Sequence, residues 1–209
     1  MIDSNDRVRR TQESYDRIAA RFLERNQNRS ILRPWFRLFN ERLCEGAFVV
    51  DLGAGPCHDS AELRELGLNV ISVDLNHAML NVGKEKFPGD RVQADMRRLP
   101  FRSRCIAGIW ASASLLHLDR ADLLPTLQGI RNVLVPSGML YLSLKCGAGE
   151  GWDILKYGPE APRWFTYWSE DEVDNALRLS GFEVVVSEAQ QGPRDRWIMR
   201  LVCAGPAPG

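Results

Sequence analysis

The sequence predicts an α/β domain built on a mostly parallel β-sheet, and three observations support this fold class. Short apolar runs alternate with stretches of helical periodicity between residues 47 and 145. The runs are continuously apolar, which is typical of parallel strands that are covered on both faces. The length of 209 residues suits one domain, residues 1–209, better than two independent ones.

A helical cap over residues 1–45 is predicted ahead of the sheet. A first helix is expected because one apolar stripe recurs at helical spacing on an otherwise charged segment. This stripe consists of Tyr15, Ile18, Ala19, Phe22 and Leu23. A second helix is expected from about Ser30 or Pro34 up to Gly46. The stripe predicts that the first helix packs against a larger body.

The region 46–146 is predicted to hold five strands with helices between them. Strands are expected over 47–53, 69–75, 91–95, 106–113 and 139–145, and helices over 59–66, 76–87 and 125–135. Gly67 ends the first of these helices. Strand, helix and strand in succession form βαβ units, in which consecutive strands run parallel.

The last segment, 147–209, is expected to end in two strands of a different kind. Ser169 and Glu172 form a capping box, and Gly181 ends the helix that follows. Apolar runs at 182–186 and 196–204 are joined by a turn-like stretch at 191–194. We therefore expect an antiparallel pair that completes the sheet.

The composition disfavours several functional classes. Lys and Arg together number 27, as do Asp and Glu, so no net charge attracts nucleic acid or an anionic membrane. The first residues lack the apolar run of a signal peptide, and no stretch approaches the ~18 apolar residues of a membrane span. Five widely spaced cysteines and three histidines without metal-ligand spacing disfavour disulfides and a metal site. We expect a soluble, cytoplasmic protein without nucleic-acid, membrane or metal partners, and the sequence leaves monomer and homodimer open.

A G-x-G turn, Gly53-Ala54-Gly55, follows the first strand. Such a turn lets the backbone approach a nucleotide-like ligand at the carboxyl end of a strand. Asp51 lies at the end of this strand, Asp74 ends the second strand and Asp95 ends the third. Each aspartate alone would suit a turn or a helix cap, but together they predict one acidic crevice.

The same turn departs from the dinucleotide-binding pattern G-x-G-x-x-G. The third glycine would fall at His58, whose imidazole obstructs the close helix–strand contact that glycine permits. Pro56 lacks an N–H group and so removes a donor from the loop. Both features disfavour a nicotinamide cofactor, and no G-x-x-x-x-G-K-[ST] motif supports a nucleoside triphosphate.

In their order along the chain, five motifs resemble those of the class I S-adenosylmethionine-dependent methyltransferases. They are VVDLGAGPCHDS, ISVDLNHAML, VQADMRRLPF, GIWASASLLHL and LVPSGMLYLSLK, within residues 47–145. The resemblance implies a Rossmann-like sheet of seven strands with the last strand antiparallel. It also implies S-adenosyl-L-methionine as the cofactor and residues 46–146 as the part that binds it.

The resemblance further implies which residues meet the cofactor. The glycine turn would line the methionine portion, Asp74 would bind the ribose hydroxyls, and Asp95 would meet the adenine amino group. The full predicted set is Tyr15, Asp51, Gly53, Ala54, Gly55, Asp59, Asp74, Leu75, Met79, Asp95, Met96 and Ala111. Tyr15 would close over the cofactor from the first helix. For Tyr15 and Met79, packing in the core is an equal alternative.

Absent motifs favour a small-molecule acceptor. In the resembling family, enzymes that methylate nucleic-acid amines carry an [Asp/Asn]-Pro-Pro-aromatic turn after the fourth strand, where this chain has Ala111-Ser112-Ala113-Ser114. The cytosine-carbon enzymes need a Pro-Cys pair there, and here Pro56-Cys57 lies in the glycine turn instead. We therefore expect methyl transfer to an oxygen or nitrogen atom of a small molecule.

His117, just after the fourth strand, is the candidate general base because imidazole titrates near neutrality. Orienting substrate or capping a helix are its alternatives, and His58 and His77 are expected at the surface or in loops. The aromatic-rich segment after the fifth strand predicts a lid or acceptor wall. Its candidate substrate-binding residues are Glu150, Arg163, Trp164 and Tyr167. A noncatalytic binding or regulatory protein is the second hypothesis and a nicotinamide oxidoreductase the third.

Overall fold

The computed structural model describes residues 4–205, which form six α-helices, three short 3₁₀ helices and nine strands. The helices are α1 (Ser4–Arg25), α2 (Arg33–Asn40), α3 (His58–Glu65), α4 (His77–Val82), α5 (Leu123–Val133) and α6 (Glu170–Leu179). The strands are β1 (Phe48–Leu52), β2 (Asn69–Asp74), β3 (Asp90–Gln93), β4 (Ile106–Ser112), β5 (Leu134–Lys145), β6 (Glu150–Asp153), β7 (Arg163–Thr166), β8 (Phe182–Gln191) and β9 (Arg196–Ala204).

Seven of these strands form one sheet in the order β3-β2-β1-β4-β5-β9-β8. The first five run parallel, and β9 is antiparallel to both of its neighbours, β5 and β8. The predicted Rossmann-like sheet with an antiparallel last strand is therefore confirmed. Because β9 reverses direction, its first residues lie at the same edge as the carboxyl ends of the parallel strands.

Several element boundaries differ from the sequence prediction. Strand β3 ends at Gln93, so Asp95 lies in the loop beyond it. Strand β5 begins at Leu134 rather than Met139, because Leu134 already pairs with Ile106 of β4 before a register shift. Strand β8 continues to Gln191, since β9 supplies hydrogen-bond partners along its whole polar second half. Pairing with a neighbouring strand extends these elements beyond their apolar runs.

A second, two-stranded sheet, β6 with β7, was not predicted as strands. It lies in the segment whose glycines and aromatic residues suggested a lid. Helix α1 packs directly on it: Ser14 Oγ donates to the Pro162 carbonyl at 2.6 Å, and the Trp164 amide donates to Thr11 Oγ1 at 3.1 Å. The predicted packing of the α1 stripe is thereby explained, because Ile18 clusters with the buried Tyr157.

The two faces of the large sheet carry separate apolar clusters. On one face, α5 and α6 cover β1, β4 and β5. On the other face, the Trp110 ring of β4 stacks on two rings. Its centre lies 4.4 Å from the centre of the Phe36 ring of α2 and 3.9 Å from the centre of the Tyr141 ring of β5. The stacked aromatic rings fix α2 against the sheet. No helix in the described range 4–205 combines the length and apolar character that crossing a membrane requires.

A buried carboxylate pair lies beneath the end of β1. Asp51 is only 2% exposed, and Ser60 Oγ donates to its Oδ2 at 2.6 Å. Asp59 accepts from Trp110 Nε1 at 2.9 Å and lies 2.7 Å from Nε of Arg29. Burial, reinforced by the negative charge of Asp59, raises the pKa of Asp51 to about 7.

We expect Asp51→Asn to become more stable relative to the wild type as pH rises from about 4 to about 7. Because the pKa of Asp51 is raised in the folded protein, the stability that its bound proton contributes is present below the unfolded pKa. That contribution is lost as pH rises through 7. Urea midpoints at pH 4.5, 6 and 7.5 measure the gap, with the exposed Asp90→Asn as the control for removing a carboxylate. A gap that stays constant across this range would contradict the prediction.

The end of α4 touches the loop that follows β1. Gly83 comes directly after α4, and a Cβ atom added there would lie 2.0 Å from the carbonyl oxygen of Pro56. Gly129 of α5 offers the opposite case, since an added Cβ would meet nothing within 4 Å. Glycine is therefore required at position 83, where the backbone passes close to Pro56, but not at position 129.

Gly83→Ala should lower the free energy of unfolding by about 1–3 kcal/mol, because the new methyl group displaces the Pro56 carbonyl. Gly129→Ala is the matched control and should raise it by about 0.5–1 kcal/mol through helix propensity. Chemical denaturation followed by circular dichroism measures both. Equal midpoints for the two variants would show that this close approach imposes no constraint.

Candidate functional site

A cleft of about 840 Å³ opens at the carboxyl ends of β1, β2, β4 and β5. Helix α1 and the β6–β7 hairpin form its roof, and the beginning of β9 forms one end. Ligand-binding clefts commonly measure about 300–1,000 Å³, so this one can hold a cofactor and part of a second molecule. Its position at the edge where parallel strands end is the usual one for ligands in open α/β sheets.

The glycine turn is held in place by the second strand. The amides of Gly53 and Ala54 donate to the Val73 carbonyl at 2.7 and 3.0 Å. Gly53 adopts a φ of +76°, and a Cβ atom there would lie 2.3 Å from the Cβ of Ser114. Only glycine permits this approach, which lets the turn run along the floor of the cleft.

Asp74 connects this turn to the second strand. Its Oδ2 accepts from the Gly55 amide at 2.8 Å, and its Oδ1 accepts from the Asn76 amide at 2.7 Å. Burial raises the pKa of Asp74, although these backbone amides act against the rise. Each carboxylate oxygen keeps a lone pair, so Asp74 can still accept hydrogen bonds from hydroxyl groups in the cleft.

The wall beyond Asp74 is apolar and ends in a second carboxylate. Leu75, Met79 and Met96 line it, and Met79 is buried. Asp95 also lines the cleft, and its carboxylate is bound by Arg97 through Nε at 3.0 Å and Nη2 at 2.7 Å. Burial would raise the pKa of Asp95, but the Arg97 hydrogen bonds and charge hold it below its usual value.

Tyr15 and His117 form a hydrogen-bonded pair on the cleft wall. Tyr15 Oη lies 2.7 Å from His117 Nε2, and His117 Nδ1 lies 2.8 Å from the Trp164 carbonyl oxygen. A carbonyl oxygen only accepts, so Nδ1 carries the proton and Nε2 accepts from the tyrosine hydroxyl. Burial lowers the pKa of His117 to about 3, and burial raises that of Tyr15. The imidazole is therefore neutral.

Most predicted site residues converge on this single cleft. It is lined by Tyr15, Asp51, Gly53, Ala54, Gly55, Asp59, Asp74, Leu75, Met79, Asp95, Met96, His117, Arg163 and Tyr167. Within this set, the carboxylates of Asp51 and Asp59 already bind Ser60, Trp110 and Arg29, as described above. Their side chains support the floor beneath the glycine turn.

Three predicted residues lie outside the cleft. Ala111 is fully buried in the apolar cluster, and its neighbours Ser112 and Ala113 line the cleft instead. Glu150 pairs with Arg7 at 3.2 Å. The Trp164 ring lies beneath the Arg7 guanidinium at 4.2 Å.

The structure corrects Trp164 and Ala111 for the same physical reason, the alternation of side chains along a strand. In β7, Arg163 and Phe165 line the cleft, whereas Trp164 belongs to the other face. Without knowledge of β7 as a strand, the alternation could not be applied. In β4 the buried run gave no sign of which residue faces the ligand.

His58 is also corrected, because it is buried at the start of α3 and not at the surface. Its Nε2 lies 3.0 Å from the Leu23 carbonyl, and burial lowers its pKa to about 4. His77 is exposed, as expected.

Several cleft residues were missed by sequence reasoning, chiefly Lys145, Trp152, Asp153, Lys156 and Trp197. Lys145 ends β5, so the strand-end rule that selected Asp74 would have found it. Trp197 pairs with Lys145 across the β5–β9 ladder, a register that the sequence alone does not determine. The other three depend on the fold of the β6–β7 region.

Comparison with known proteins identifies the central region. Residues 50–142 match the protein family described as Methyltransferase domain. A stretch of 97 residues, 46% of this chain, is 30% identical to the biotin biosynthesis bifunctional protein BioHC of Cellvibrio japonicus. The chain covers only 19% of the length of that curated relative.

Solved structures share the fold at low sequence identity. One is a 1,6-didemethyltoxoflavin-N1-methyltransferase of Burkholderia thailandensis with bound 1,6-didemethyltoxoflavin and S-adenosylhomocysteine. It matches with a TM-score of 0.79 and 18% identity, over 99% of this chain and 92% of that one. Another is an S-adenosylmethionine-dependent methyltransferase of Methanosarcina mazei, with a TM-score of 0.73 and 16% identity, over 80% of this chain and 97% of that one. The five ordered motifs, the sheet order and the family match over residues 50–142 all support a class I S-adenosylmethionine-dependent methyltransferase.

Proposed function

We propose that this protein transfers a methyl group from S-adenosylmethionine to an oxygen or nitrogen atom of a small molecule. The observation that carries the proposal is one continuous cleft that joins the Asp74 and glycine-turn end to an aromatic, charged end at Lys145 and Trp197. Cofactor and acceptor can therefore lie in contact without bulk water between them.

The residues at the Asp74 end fit the adenosyl group. Asp74 offers free lone pairs to the two ribose hydroxyls, and Leu75 and Met79 provide apolar surfaces for the adenine ring. Asp95 can accept from the adenine amino group while Arg97 holds its orientation. When bound, S-adenosylmethionine supplies a sulfonium methyl group for a single in-line displacement.

The Tyr15–His117 pair is proposed to position the acceptor. His117 holds the Tyr15 hydroxyl at the cleft wall, and the free lone pair of that oxygen can accept a hydrogen bond from an acceptor O–H or N–H. A proton leaving the acceptor would pass to Tyr15 Oη as the Tyr15 proton moves to His117 Nε2. With a pKa of about 3, His117 is a weak base. The predicted general-base role is thus proposed in this indirect form.

The roof formed by α1 and the β6–β7 hairpin supports a small acceptor over a macromolecular one. It covers the reacting end of the cleft, whereas a polymer would need an open path. The B. thailandensis structure, which holds 1,6-didemethyltoxoflavin and S-adenosylhomocysteine, has a matching fold over 99% of this chain. Incubation with methyl-labelled cofactor and a panel of small acceptors tests the proposal. Cofactor binding with no transfer to any of them would favour the noncatalytic alternative.

Asp74→Ala should weaken binding of S-adenosylhomocysteine by about 1.5–3 kcal/mol, the range for hydrogen bonds to a charged group. Isothermal titration calorimetry measures this loss. The control is Asp90→Ala, which removes an exposed carboxylate at the start of β3, outside the cleft. Unchanged affinity in Asp74→Ala would remove the ribose assignment. Stabilisation by NAD(H) with none by S-adenosylhomocysteine would instead support an oxidoreductase.

The imidazole of His117 should stay neutral from pH 8 down to pH 5, because burial lowers its pKa to about 3. Nitrogen-detected NMR of labelled histidine measures the tautomer, which should show the proton on Nδ1.

On an acceptor found by the panel, His117→Ala and Tyr15→Phe should both lower turnover with little loss of S-adenosylhomocysteine affinity. The exposed His77→Ala is the control. Full turnover in both site variants would refute a role for the pair.

A further inference from the structure

Three cationic side chains meet at the acceptor end of the cleft: Lys145 at the end of β5, Arg163 in β7 and Lys156 between β6 and β7. Arg163 is 4% exposed and Lys145 is 6% exposed. The Arg163 guanidinium lies 5.1 Å from the centre of the Phe165 ring, which Lys145 Nζ approaches to 4.1 Å.

Lys156 completes this group, which we call the cationic cluster. Its Nζ lies 5.5 Å from the centre of the Tyr157 ring, and the Arg163 guanidinium lies 4.8 Å from the same ring. The three cations thus lie over the faces of two aromatic rings, Phe165 and Tyr157. Such contacts partly compensate the loss of water around each charge.

Carboxylates within the described residues do not balance the cluster. A single buried oxygen, Asp153 Oδ2, is shared between Lys145 at 3.4 Å and Arg163 at 3.6 Å. Asp195, with its side chain 33% exposed, lies 3.2 Å from Lys145. Lys156 Nζ donates to the neutral Asn26 Oδ1 at 2.7 Å, and among residues 4–205 no carboxylate lies within ion-pair distance of it.

Arg163 also has unused hydrogen-bonding capacity. Across residues 4–205, its buried Nε finds no hydrogen-bond partner. A guanidinium has five donors in a planar fork that matches a carboxylate or a phosphate group. Leaving such a donor buried and unsatisfied is costly, so an acceptor atom is expected when the site is filled.

The excess positive charge helps to lower the pKa values of neighbouring groups. Burial, together with the charges of Arg163, Arg194, Arg29 and Lys145, lowers the pKa of Lys156 to about 8. Arg163 and Lys145 also contribute to the lowered pKa of His117. An anion in this part of the cleft would relieve the repulsion among the cations.

We propose that the acceptor carries an acidic group, a carboxylate or a phosphate, which binds among Arg163, Lys145 and Lys156. This inference rests on the proposed function, since it names the substrate class for the same cleft. Tyr167 and Trp197 line the adjoining wall and provide aromatic surfaces for the rest of the molecule. The acidic group would thereby fix the acceptor relative to the Tyr15–His117 pair.

The test uses the full chain saturated with S-adenosylhomocysteine and calorimetric titration with simple probes. Benzoate and phenyl phosphate carry the acidic group, and benzamide is the neutral match of benzoate. Both anions, or one of them, should bind at least about tenfold more tightly than benzamide, and the tighter anion identifies the preferred acid. Lys156→Gln and Arg163→Gln should abolish this preference. Lys84→Gln, an exposed residue outside the cleft, should preserve it.

The outcomes separate this inference from the proposed function. If S-adenosylhomocysteine binds but benzamide binds as tightly as both anions, the acidic-substrate inference is overturned and the methyltransferase proposal stands. If Arg163→Gln weakens S-adenosylhomocysteine itself and no anion binds the saturated wild type, the cluster serves the methionine carboxylate and the inference is again overturned. If S-adenosylhomocysteine does not bind the wild type, the proposed function fails first. The comparison of probes on the wild type needs no variant to fold.

Discussion

The hydrogen bond from the Gly55 amide to the Asp74 carboxylate is the constraint on which the site depends. It joins the turn after β1 to the end of β2, so the two strands present one surface rather than two loose ends. The turn can make this contact because Gly53 and Gly55 adopt positive φ angles. The same carboxylate keeps lone pairs toward the cleft, which gives one residue both a structural and a ligand-binding capacity.

The roof of the cleft depends on contacts between parts of the chain that are far apart in sequence. Helix α1 reaches the β6–β7 hairpin through Ser14 and Thr11, and it brings Tyr15 to His117. The Trp164 carbonyl in turn fixes the imidazole tautomer. Helix, strand-four loop and hairpin therefore act as one unit, and the state of His117 follows from their packing rather than from its own chemistry.

Opposite electrostatic environments occur at the two ends of the cleft. Near β1, the buried Asp59 places negative charge beneath the glycine turn, where it pairs with Arg29, and the neighbouring Asp51 has a pKa raised to about 7. At the other end, Lys145, Lys156 and Arg163 outnumber the carboxylates that face them. Low exposure strengthens both effects, because little water screens these charges. A ligand that spans the cleft therefore contacts hydrogen-bond acceptors at the Asp74 end and cations at the Lys145 end.

The βαβ alternation, the antiparallel final pair, the glycine turn and Asp74 could all be predicted from the sequence, because each depends on local periodicity, on the φ freedom of glycine or on the strand-end rule. By contrast, the folded structure was needed to show that Ala111 and Trp164 face away from the cleft and that Lys145 and Trp197 face it. Those placements depend on which strands are neighbours and in which register, as between Lys145 of β5 and Trp197 of β9. Likewise, His117 suggested a base from its position, but its neutral state arises from burial against α1 and β7, which no local pattern encodes.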